Sequence, residues 1–178
     1  MTPSSPASSI EPAGAVLAIW TDIAPELEAD FDERYWREHL PERLSVPGFR
    51  RGRRFRAIDG APRSFACYDL ASVDTIVSPA YRERLDNPTA WTKRVMPGFR
   101  NTTRAIFRSA GGLGQAGGAT ALTLRLSPRP EQRAGFTEYL HRTCLPALRA
   151  IINGLLCGNE QRNLFVTLDC FAGYHRGR

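Results

Sequence analysis

The chain has 178 residues, 42% hydrophobic and 10% aromatic, enough for a real core in one domain or in one domain built of two similar halves. Its net charge of +6 comes almost wholly from arginine, Lys93 being the only lysine. Such a surface suits phosphate or acidic ligands, and is equally what a GC-rich coding sequence yields. No run of about 18 apolar residues is present, which excludes a membrane-spanning helix.

The start, MTPSSPASSIEPAG, lacks a basic opening and an apolar run, so residues 1–14 read as a mobile tail and not as a secretory leader. Cys67, Cys144, Cys157 and Cys170 form no CxxC pair, which argues against a structural zinc site. Reduced, buried cysteines in a cytoplasmic protein are the expectation.

AVLAIWTDI (15–23) is apolar, β-branched and aromatic, and reads as a buried strand. Pro25, Glu26 and Glu28 open a helix in which Leu27, Phe31 and Tyr35 share a face; it runs toward Pro41 and is stopped by VPGF at 46–49. FRRGRRFRAI and PRSFACYDLA read as two strands joined by a turn at Asp59-Gly60. SVDTIVSPAYRERLDNP (72–88) reads as one helix opened by Ser72, and NTTRAIFRSA (101–110) as the closing strand. NPTAWTKRVMPGFR (87–100) suggests no chemical role. The order is β-α-β-β-α-β, a ferredoxin-like unit over 15–110, in the α+β class. GGLGQAGGA (111–119) then reads as a flexible linker.

The pattern starts again 105 residues later. TALTLRLSPRPE (120–131) lies on AVLAIWTDIAPE (15–26), and nine ungapped identities run to Pro41 and Pro146, Phe31/Phe136, Glu33/Glu138 and Arg37/Arg142 among them. This reads as an internal repeat. Residues 120–178 have room for only part of a second unit, a strand, a helix and a hairpin in INGLLCG and NLFVTLDCF. An uncovered strand edge would then want a partner, and a homodimer is expected.

YWREHLPERLSVPGF resembles the helix motif of EthD-like proteins, a branch of the dimeric α/β barrel superfamily. Tyr35-Trp36-Arg37, His39, Pro41 and Pro47-Gly48 carry the resemblance, which covers 15–108 well and 120–154 weakly. It implies two ferredoxin-like units whose sheets face one another, the second unit shortened here. The superfamily includes small monooxygenases, lactone isomerases, polyketide cyclases, haem-binding peroxidase relatives and many proteins of unknown activity, so fold transfers better than function.

His39 is the candidate acid/base. A histidine of ordinary pKa shuttles protons at neutral pH, and the repeat holds it once, Cys144 standing at the aligned position. The alternative is a half-buried histidine that caps carbonyls freed by Pro41. Candidate ligand contacts are Trp20, Tyr35, Phe55 and Tyr68, aromatics that would line a barrel interior with His39 at its rim or simply pack, and Arg54 or Arg56, which would orient an oxygen. Glu33, Glu38 and Glu42, with Arg34 and Arg37 among them, look like a solvated face.

Neither a metal nor a cofactor is expected. The helix position of His39 does not match haem-binding relatives, and GGLGQAGG precedes a strand instead of opening a helix, so no dinucleotide loop is formed. RRGRRFR lacks the paired aromatics of RNA-recognition sheets, which argues against nucleic acid. Alternation sends Arg51 and Arg53 to one face and Arg50, Arg54 and Arg56 to the other, toward water, carboxylates such as Asp69, or an anionic ligand. The expected partner is a small hydrophobic or aromatic organic molecule bound inside the barrel. Cofactor-independent proton transfer, oxygenation or cyclisation is one reading; a non-catalytic binding or accessory protein is the other.

Overall fold

The computed structural model describes residues 13–109, 121, 123, 126, 128–148 and 150. The tail over residues 1–12, the linker at 111–119 and the hairpin expected in INGLLCG and NLFVTLDCF lie outside the described residues, as does most of the second unit's first strand. Four strands, β1 (Ala15–Ile23), β2 (Phe49–Arg56), β3 (Ser64–Leu70) and β4 (Phe99–Arg108), form one sheet in the order β2-β3-β1-β4. Every neighbouring pair is antiparallel. With the helical connections β1-to-β2 and β3-to-β4, this is the β-α-β-β-α-β order expected from the sequence. The unit is ferredoxin-like.

The first connection is one helical run of changing pitch: a 3-10 turn (Pro25–Leu27), α1 (Glu28–Arg34), a π turn (Tyr35–His39) and α2 (Leu40–Leu44). The run passes through Pro41 and ends at Leu44, just ahead of the expected stop in VPGF at 46–49. Proline lacks an N–H and its ring collides with the carbonyl four residues back. The π turn ahead of it widens the ladder, with the Leu40 N–H donating to the Tyr35 carbonyl, and the helix continues.

The single helix expected over 72–88 is split. A 3-10 helix (Val73–Val77), capped by the Ser72 hydroxyl, ends at Ser78, which is extended because it precedes Pro79. Ser78 then caps α3 (Pro79–Asp86). The segment without an assigned role supplies α4 (Ala90–Val95), capped by Thr89, and β4 starts at Phe99, ahead of the expected residue 101. Asp30 fastens α4 to the first helical run: its carboxylate accepts from Trp91 Nε1 at 2.7 Å and from Arg94 at 2.8 and 2.9 Å.

All helices of this unit pack on one sheet face, where Leu17, Ala66, Tyr68 and Leu70 meet Phe31, Tyr35, Tyr81 and Val95. A bulge in β2 at Arg50 turns Phe49 to that face and Arg51, Arg53 and Phe55 to the other. The other face carries Ala18, Trp20, Phe65, Cys67 and Phe107, and β3 is buried along its whole length. Trp20 Nε1 donates to Thr123 Oγ1 at 3.3 Å, so the chain past the linker reaches this second face.

Beyond the linker, a 3-10 turn (Pro130–Gln132), α5 (Arg133–Tyr139) and a π turn (Leu140–Cys144) repeat the first run at an offset of 105 residues. Even the surface ion pair recurs, Glu33–Arg37 at 2.5 Å and Glu138–Arg142 at 2.8 Å.

Candidate functional site

The π turn sets the site. Tyr35 and His39 meet Tyr68 of β3 across the sheet face, and Arg43, one turn further on, lies over the Tyr81 ring. The Tyr35 and Tyr68 hydroxyls lie 2.9 Å apart in a buried hydrogen bond. The His39 ring is 5.5 Å from the Tyr35 ring and 6.4 Å from that of Tyr68. Gly52 on β2 makes room, since a Cβ there would sit 2.4 Å from Leu40 and 2.9 Å from the Tyr68 ring.

The electrostatics are those of a closed, positively charged corner. Burial first, then the guanidinium groups of Arg43 and Arg34, push the His39 pKa down to about 3, so its imidazole is neutral at pH 7. Its Nδ1 is sealed from solvent and has no hydrogen-bond partner among the described residues. His39 as a whole residue is only half-buried. Burial raises the Tyr35 phenol to about 12 and Tyr68 well above its ordinary value, so both stay protonated and act as donors or acceptors, not as bases. The Cys67 thiol, behind the sheet, is raised to about 11 by burial, which keeps it unreactive.

The structure brings together three of the residues singled out from the sequence, Tyr35, His39 and Tyr68. Arg54 borders them, its guanidinium 4.4 Å over the Phe31 ring and 5.1 Å over that of Tyr35, but it is committed to Asp32 and to the Ser64 hydroxyl. Arg56 pairs with the same Asp32 and with Glu28 near the surface. Trp20 and Phe55 are elsewhere: both stack on Phe65 on the opposite face, with centroids 5.1 and 6.0 Å away. A single lining of Trp20, Phe55, Tyr68 and His39 is therefore not formed, because alternation along β3 puts Phe65 and Tyr68 on opposite faces. His39 makes no hydrogen bond to the carbonyls ahead of Pro41 among the described residues, so it is not their cap.

Two site residues were not visible from the sequence, Arg34 and Arg43. Arg34, expected on a solvated face, is buried and reaches across to α4, where Nη1 donates to Thr92 Oγ1 at 3.0 Å. Arg43 is buried with its guanidinium 5.3 Å over the Tyr81 ring. The spacing Tyr35, His39, Arg43 was a readable signal of one shared helix face; that Arg34 joins it follows from the π turn and from α4. Arg51 and Arg53 are held by Asp69 on the other face at 2.8 and 2.9 Å. Among the described residues no group of three or more His, Cys, Asp or Glu side chains is placed to hold a metal ion, and no helix is long and apolar enough to cross a membrane.

No family model matches the chain, and no curated protein matches it. Solved structures similar to it do exist. One is a variant of SnoaB, a cofactor-independent oxygenase from Streptomyces nogalater, 18% identical, covering 58% of this chain and 100% of that one at a TM-score of 0.44. A second is a dimeric ferredoxin-like protein from an uncultured marine organism, 14% identical, covering 58% and 94% at 0.47. The third comes from Bacillus halodurans C-125, 17% identical, covering 53% and 98% at 0.39. It is an EthD family protein. In each case about half of this chain spans nearly the whole of the other.

Proposed function

We propose that the protein binds a small hydrophobic or aromatic organic molecule between its helical layer and the facing side of its sheet, at His39, Tyr35 and Tyr68. The observation that carries this is the sealed, unpartnered Nδ1 of His39 beside a buried pair of tyrosine hydroxyls. A buried polar atom left without a partner costs about 1–3 kcal/mol, and native folds keep few of them. Tyr35, Tyr68 and Phe49 are the aromatic core neighbours of this place.

Turnover by proton transfer, oxygenation or cyclisation would use His39 as the proton acceptor. Its lowered pKa favours the second reading, a binding or accessory protein without turnover, because a neutral imidazole that resists protonation is a weak base at pH 7. A homodimer in the cytoplasm completes the proposal; β2 and β4 are the outer strands of the described sheet and offer edges to a second copy.

Native mass spectrometry under gentle conditions tests the reading. A small aromatic mass retained by the protein, and displaced on unfolding, supports it; protein that never carries or takes up such a molecule overturns it. The same spectra report the oligomer. His39→Ala separates the two readings: a catalyst keeps the ligand and loses turnover, whereas a binder has no turnover to lose.

A further inference from the structure

We infer that the ligand of this site is an anion, a small planar carboxylate or enolate whose oxygen is held by Arg34 and Arg43. The inference rests on the small-molecule reading above and adds the charge of the ligand.

Five other arginines of the unit hold carboxylates. Arg51 and Arg53 share Asp69, Arg54 and Arg56 share Asp32, and Arg94 holds Asp30. Arg34 and Arg43 are more deeply placed than most of these, 2% and 8% exposed, yet neither has a carboxylate within ion-pair distance among the described residues. Glu38 and Glu42 act on Arg34 only through space, and Glu38 accepts from the Thr89 hydroxyl instead. Arg34 Nε and Arg43 Nη1 are sealed from solvent with no acceptor. A buried guanidinium without a counter-ion is costly, and the cost falls when a carboxylate enters. Two such groups beside a neutral imidazole and two protonated phenols present only donors and one imidazole, a set that complements a negatively charged oxygen.

The second helical run serves as an internal control. At the 105-residue offset, Tyr139, Leu140, Cys144 and Leu148 stand where Arg34, Tyr35, His39 and Arg43 stand in the first. The same 3-10, α and π succession forms there. The bend therefore does not need buried arginines.

Calorimetric titration and thermal unfolding of the full chain with salicylate and with its uncharged amide, salicylamide, test this. Salicylate is expected to bind at least about tenfold more tightly than salicylamide, the worth of a charge-assisted contact. Arg43→Met is expected to erase that preference and to raise the melting temperature of the ligand-free protein, since it removes an uncompensated buried charge. Arg34→Met gives a second, independent removal, and Arg37→Met, on the exposed ion pair, leaves the preference in place. Equal binding of the two probes, or a preference that survives both buried substitutions, overturns the charge inference and leaves the small-molecule reading standing. Failure of both probes to bind, together with no retained mass, overturns both.

Discussion

The Tyr35 and Tyr68 hydroxyls meet at 2.9 Å, tying the middle of the first helical run to the third strand. Each is the other's buried partner. Tyr35→Phe or Tyr68→Phe alone strands one hydroxyl in the core and is expected to cost about 1–3 kcal/mol in urea unfolding. The double variant removes both and is expected to cost less than the two single losses added together. Strict additivity would show that the two hydroxyls do not interact.

His39 gives the protein an acid-sensitive element. Its folded pKa of about 3 lies below the ordinary 6.5, so between those values the unfolded chain takes up a proton that the folded chain refuses. The contribution is fully present above pH 6.5 and is lost as pH falls toward 3, at up to about 1.4 kcal/mol per pH unit. Denaturation across that range is expected to show this slope in the wild type and a flatter one in His39→Phe. NMR titration of the ring adds a direct check: an ordinary midpoint near 6.5 would contradict the buried, arginine-flanked setting.

Gly52 is required by close approach, not by backbone angle. A methyl group there would press on Leu40 at 2.4 Å and on the Tyr68 ring at 2.9 Å. Gly52→Ala is expected to destabilise by about 1–3 kcal/mol, and to weaken ligand binding as well, because Tyr68 is the group that must give way. A neutral effect on the melting temperature would mean that the helix and sheet stand further apart.

On the opposite face, Trp20 stacks on Phe65 and meets Phe107 edge-on, with centroids 5.1 and 6.4 Å away. Trp20→Ala is expected to cost about 3–5 kcal/mol. Salicylate binding should be unchanged in protein that remains folded, since Tyr68 and Trp20 lie on different sides of the sheet. Loss of binding with the fold intact would join Trp20 to the site after all.

Much of the unit was legible from local pattern. The apolar strand at 15–23, the Pro25 start and the Asp59-Gly60 turn each express a preference of a few adjacent residues, and the structure repeats them at nearly the same boundaries. Proline misled once, at Pro79, where one helix was expected over 72–88. Pro41 fell inside a helix because a π turn absorbed it, and Pro79 split a helix because Ser78 before it is extended. Period-two alternation correctly put Phe65 and Cys67 on one side of the third strand and Tyr68 on the other. Grouping Trp20 and Phe55 with Tyr68 failed because face assignment between strands depends on register, and β2 carries a bulge at Arg50.

The sequence by itself determined the β-α-β-β-α-β order, the offset of 105 residues, and the one helix that combines Tyr35 with His39, because these are set by spacing along the chain. Only the tertiary structure decided that Arg34 and Arg43 are buried with no ion-pair partner among the described residues, that Arg54 belongs to Asp32, and that His39 is neutral. A charge's partner and its exposure depend on what other segments bring within a few ångströms, Thr92 from α4 and Tyr68 from β3 here. No local spacing encodes those distances.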